Sequence, residues 1–308
     1  MLEDYWGILF ALCASILWSI TVTLIKPISN NISPFLINPI KNSIGFILFF
    51  ILFMLTDIPL WYDSLYNYEY AIILFSGSLG MFLGDTIFIY ALNKIGANRV
   101  AIVDAFSPVI IFSYSILLLP NQTLNIIQII GFMITIIGLL ILTCENDYED
   151  IDYRMKQFGI LLVLGAMMCT GFGVVYLKTV LNRINETGYD IKLNLWVTAF
   201  RLIPGVVLSW ILFLFQKNKT KLIKPVKIKK NLIPLLIASF IGPFLALGCW
   251  ILGYAFIDKP SVTSIIGQTS VIFIVFLSWV FLKENLTKLR IISTICVFVG
   301  VMLATINL

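Results

Sequence analysis

Apolar runs of about 20 residues alternate with short polar turns along almost the whole chain, and ~20 residues is the length at which a helix crosses ~30 Å of hydrocarbon. The pattern predicts helices at residues 6–26, 34–56, 70–92, 99–119, 124–143, 157–181, 192–215, 231–256, 261–282 and 287–307. One stretch breaks the series: residues 145–156 carry Glu145, Asp147, Glu149, Asp150 and Asp152. This acidic hinge separates a five-helix unit at 1–144 from a second at 157–308.

The two units repeat each other. Tyr90-Ala91-Leu92, a polar turn at Asn93–Asn98 and an apolar run to Leu119 are answered by Tyr254-Ala255-Phe256, a turn at Asp258-Lys259-Pro260 and a run to Leu282. Ile25-Lys26 matches Leu177-Lys178 at the same distance from a glycine, and Lys41 corresponds approximately to Arg201. Five is odd, so the second copy must enter the bilayer upside down. The expected fold is an all-α integral membrane protein of ten transmembrane helices arranged as two inverted repeats.

Composition sets the class. Hydrophobic residues make up 60% of the chain and charged residues 12%, with a mean hydropathy of +1.00. Soluble domains carry about a quarter charged residues. There is no His, which removes zinc-histidine sites, Ser-His triads and histidine proton relays. The five cysteines are scattered without C-x-x-C spacing, so neither a disulfide framework nor a metal or other cofactor is expected. The basic residues lie between spans, which argues against nucleic acid. Lys217, Lys219, Lys221, Lys224, Lys227, Lys229 and Lys230 crowd one loop. By the positive-inside rule that loop is cytoplasmic and both termini lie outside the cell membrane; its second expected role is attraction to anionic headgroups. Glu3-Asp4 stands where a cleavable signal peptide would be basic.

The closing third carries a family likeness. Ala255-Phe256, Ser261-Val262-Thr263-Ser264, Leu282-Lys283-Glu284-Asn285-Leu286-Thr287 and Gly300 are echoed by Ala91-Leu92, Gly96-Ala97-Asn98-Arg99, Ser107-Pro108-Val109 and Gly138. Over its whole length the chain resembles the EamA-type transporters of the drug/metabolite transporter superfamily. It departs where Pro120-Asn121 replaces a match to Lys283-Glu284, and where Val271 stands about opposite Pro108. The resemblance implies transport of small metabolites or drugs, commonly export, and leaves the substrate unnamed.

Charges inside spans are costly and mark candidate sites. Lys41, Asp85 and Asp104 fall in one layer, Lys41 ~10 Å below the surface at ~1.5 Å per residue, and form a candidate proton-coupling or gating cluster. The alternative has Lys41 snorkelling to the headgroups and Asp104 solvated near its helix start. Arg201 has no acid in its own half; it either anchors an anionic substrate group through its planar fork or bridges to Asp85 or Asp104. Trp18, Trp250, Tyr90 and Gln268 complete the expected substrate-binding set. Pro39, Pro108, Pro204 and Pro243 sit inside spans, where a simple kink is the expected effect.

Together these predict a secondary carrier working by alternating access, with efflux of amino-acid-like or amphipathic solutes. A nucleotide-sugar or sugar-phosphate antiporter is the alternative within the class; an intramembrane enzyme and a lipid scramblase stand outside it. An enzyme is disfavoured, since Leu83-Gly84-Asp85 misses the Gly-x-Gly-Asp of membrane aspartyl proteases. The expected partners are a small-molecule solute, membrane lipid and a proton as coupling ion, with uncoupled diffusion equally compatible and a homodimer left open.

Overall fold

The computed structural model describes residues 2–119, 125–143, 152–186, 188 and 190–305, and all the regular structure among these is helical. Eight helices are long and apolar enough to cross a membrane. They are α1 (Leu2–Ser29), α2 (Pro34–Thr56), α3 (Asn67–Ile95), α4 (Ala97–Leu118), α6 (Tyr153–Ile184), α7 (Ile191–Leu214), α8 (Lys229–Phe256) and α9 (Pro260–Leu282). Two further long helices, α5 (Ile126–Thr143) and α10 (Lys288–Thr305), pack on each other. The other pairings also join the first half to the second: α1 with α8, α3 with α6, α2 with α7, and α4 with α9. The core is therefore the seam between the halves.

The last four residues of the expected 145–156 hinge are helical. Helix α6 begins at Tyr153, behind an Asp152 side chain that accepts from the Arg154 amide. Residues 145–151 and the turn at Pro120–Thr123 lie outside the described residues.

Two helices that read as uniform spans are interrupted. Helix α4 breaks between Asp104 and Ser107, and α9 breaks at Gln268. In α4 the Phe106 amide bonds to the Val103 carbonyl and the Val109 amide to that of Phe106. Pro108 offers no N–H to continue the ladder. Pro39 and Pro204, by contrast, lie inside helices that run on past them.

Helices α3 and α8 each contain a widened π turn, at Ser78–Gly84 and Phe240–Ala246. Such turns leave a carbonyl to be satisfied from outside the helix. In α3 the Met81 carbonyl accepts from Asn38 (2.9 Å) and Asn42 (3.0 Å) of α2. In α8 the position matching Met81 is Pro243, which has no amide hydrogen to give. One turn is held open by a neighbour's amides, the other by a proline. The helices opposite accommodate both with glycine: a Cβ on Gly45 would fall 2.7 Å from Pro243, and one on Gly205 would fall 2.6 Å from Met81.

Lysines finish two helices. Lys26 donates to the carbonyls of Leu92 (3.0 Å) and Asn93 (3.3 Å) at the end of α3. Lys178 donates to Tyr254 (2.7 Å) and Ile257 (2.8 Å) at the end of α8. A cation there meets the negative end of the helix dipole.

Candidate functional site

The π turn changes the phase of the helix beyond it. Asp85, the first residue past the turn in α3, lies 2.6 Å from Lys41 Nζ, and Lys41 also donates to Asn42 Oδ1 at 3.0 Å. Lys41 is only 3% exposed, so it is an internal partner and does not snorkel to the surface. Asn42 in turn donates to Asn38 Oδ1, and Asn38 donates to Thr86 and to Ser209 of α7. This chain of amides orients the ion pair and links both halves. Asn38 and Asn42 did not stand out in the sequence; the available signal was two amides four residues apart in an apolar run.

The pair borders a central cavity of about 160 Å³ between the halves. Seven of the residues singled out by sequence line it: Lys41, Asp85, Asp104, Arg201, Trp18, Trp250 and Gln268. Hydroxyls of Ser15, Thr170 and Ser264 and the apolar faces of Met81, Phe88 and Leu247 fill out the wall. Trp18 packs on Phe88 at 5.5 Å between ring centres, and Trp250 meets Tyr254 edge-on at 4.7 Å.

Tyr90 is not in the lining. It packs against Phe35 (6.3 Å) with Lys94 above its ring. Five residues past Asp85 on a helix turning ~100° per residue, it faces ~140° away from the carboxylate.

Arg201, unlike Lys41, has no such partner. It is fully buried, and Nε and both Nη atoms lack a hydrogen-bond partner. No salt bridge to Asp85 or Asp104 forms. The register set by the π turns explains this: Lys41 corresponds to Arg201, but Asp85 corresponds to Leu247. Gly80 leaves the guanidinium its space, since a Cβ there would lie 3.0 Å from Nη2. An unpaired buried guanidinium costs several kcal/mol, and a carboxylate or phosphate can satisfy it bidentately. Asp104 ends the first segment of α4 beside the cavity, without a salt-bridge partner among the described residues. Gln268 sits at the break in α9, its Oε1 unpartnered. No group of residues able to hold a metal ion occurs among those described.

The profile of the EamA-like transporter family matches the chain twice, at residues 5–144 and 157–306. A protein of known crystal structure has a similar fold, with a TM-score of 0.69 and 17% identity, covering 98% of this chain and 99% of the other. At that identity the likeness shows the fold alone. No curated protein sequence matches the chain.

Proposed function

Because the chain belongs to the EamA-like transporter family, we propose that it is a secondary transporter that moves a small organic solute across the cell membrane by alternating access, in the direction of export. The scaffold is ten spans in two inverted repeats. Contacts at the helix ends support the inversion. Lys26 ties the end of α1 to the end of α3, and Asn31, just past α1, bonds to Asn231 at the start of α8. Helices α3 and α8 are equivalents, each carrying the π turn; where one ends the other begins. The Lys-rich face, on this reading, is cytoplasmic.

The observation that carries the site assignment is Arg201, buried on the cavity wall with no partner of its own. It anchors the anionic group of the solute. Lys41–Asp85 and the free Asp104 supply the charge that responds to loading, with a proton at Asp104 as the coupling ion. A cavity of about 160 Å³ lies below the roughly 300–1,000 Å³ of sites for drug-sized ligands. That favours amino-acid-like or short amphipathic solutes over a nucleotide sugar.

Solute flux into proteoliposomes, screened over amino acids, polyamines, nucleosides and sugar phosphates, tests this. Arg201→Gln is expected to abolish transport of the responsive solute while inserting normally. Full flux in Arg201→Gln refutes the anchor.

A further inference from the structure

A second hollow of about 220 Å³ lies between α1, α9 and α10. Its wall is almost wholly apolar, with Ile266, Ile272 and Phe298 among its residues, and Leu12, Ile272 and Met302 are exposed towards the surrounding hydrocarbon. Gln268 belongs to this wall and also to that of the central cavity. Beside it the partition between the hollows is hydroxylic. Ser15, which lines the central cavity, bonds to Thr269, which lines the outer hollow, at 2.8 Å, and Ser19 donates to the Ser270 carbonyl at 3.2 Å.

The matching seam in the other half is built differently. In the register that pairs Lys26 with Lys178, Ser15 corresponds to Met167 and Ser19 to Gly171. There Gly171 closes onto Ile110 and Ile111, and Tyr114 meets Phe172 edge-on at 5.2 Å. One seam is sealed by apolar packing. The other is held by hydroxyl bonds with an apolar hollow behind it.

We propose that this outer hollow receives the hydrocarbon tail of an amphipathic carboxylate whose head group sits at Arg201, the tail passing between α1 and α9 at Gln268. The proposal rests on the anion anchor assigned to Arg201. A charged hollow too small for a drug-sized ligand adjoins a greasy one that opens to lipid, and Gln268, buried with an unpartnered oxygen, turns aside at the helix break between them.

Intrinsic tryptophan fluorescence of the purified protein, titrated with butanoate, hexanoate and octanoate, tests it, since Trp18 and Trp250 face the cavity. Affinity is expected to rise about fourfold per methylene, so roughly 250-fold from butanoate to octanoate. Ile266→Trp and, independently, Thr294→Phe fill the outer hollow; each should leave butanoate binding intact and flatten the dependence on chain length. Persistence of the steep dependence in both filled variants overturns the tail site. Loss of binding in Arg201→Gln is expected for every chain length. Equal binding in Arg201→Gln with the length dependence intact overturns the anchor and keeps the tail hollow, so the two failures are distinguishable. Tighter binding of octylamine than of octanoate also overturns the carboxylate assignment.

Discussion

Lys41 and Asp85 show how a single pair can be costly to break and cheap to delete. Both are largely desolvated, and each is the other's main compensation. Asp85→Asn leaves the ammonium buried without its counter-charge, a loss of about 3–5 kcal/mol. Lys41→Met with Asp85→Leu removes both charges, and such replacements are close to neutral in stability. Thermal unfolding in detergent is expected to show a large drop in Tm for the single variant and near recovery for the double one. A single variant as stable as the wild type would mean that water, not Asp85, compensates Lys41. Gly80 offers a finer probe of Arg201. A methyl group at 3.0 Å from Nη2 forces the guanidinium to shift, and misplacement by ~1 Å costs on the order of a hundredfold where geometry decides the outcome. Gly80→Ala should therefore depress solute flux with little change in Tm; unaltered flux would show that the position of Arg201 is not critical.

Among the helices, what the sequence disclosed and what it concealed divide along physical lines. Span positions followed from apolar length, and α2 falls on its expected residues, 34–56. Lys41, Asp85 and Arg201 were legible because charge inside an apolar run is costly. The π turns were not, since a turn that widens by one residue leaves the apolar pattern of α3 almost unchanged. Nor was Tyr90's departure from the cavity, because its orientation depends on helical phase beyond such a turn. The lysine caps were half visible: the Lys26/Lys178 match was plain, its role only in the carbonyls it meets. That role is testable at the element scale. Lys178→Met strips the cap from Tyr254 and Ile257, where a hydrogen bond to a charged group is worth about 1.5–3 kcal/mol. Faster amide exchange confined to the end of α8 is the expected result, and protection equal to wild type would show that the cap contributes nothing.

For the molecule as a whole, the informative comparison is between positions that the duplication makes equivalent but the sequence has made unequal. Glu69, at the start of α3, accepts from Nε and Nη2 of Arg183, at the end of α6. Glu69 also accepts from the Tyr66 amide at 2.8 Å and is 1% exposed. In the registers set by the π turns and the lysine caps, these two residues correspond to Asn231 and Asn31. Those meet on the Lys-rich face through one amide bond of 3.3 Å. A bidentate ion pair thus clamps the seam between halves on one face, and a neutral amide contact holds its counterpart on the other. The Lys-rich face has a separate tie, from Glu284 between α9 and α10. Its two oxygens accept from the Ala97 and Asn98 amides at the start of α4, next to Gly96, whose φ of +84° suits glycine. On the alternating-access mechanism proposed above, these ties would loosen in turn, and unequal ties would make the two states unequal in energy. Arg183→Asn alone strands a buried carboxylate and should lower Tm by the equivalent of about 3–5 kcal/mol. Glu69→Asn with Arg183→Asn makes this contact like its counterpart Asn31–Asn231 and should restore most of that stability while changing the flux rate. If the double variant transports at the wild-type rate, the clamp is a structural fastening and takes no part in the exchange between states.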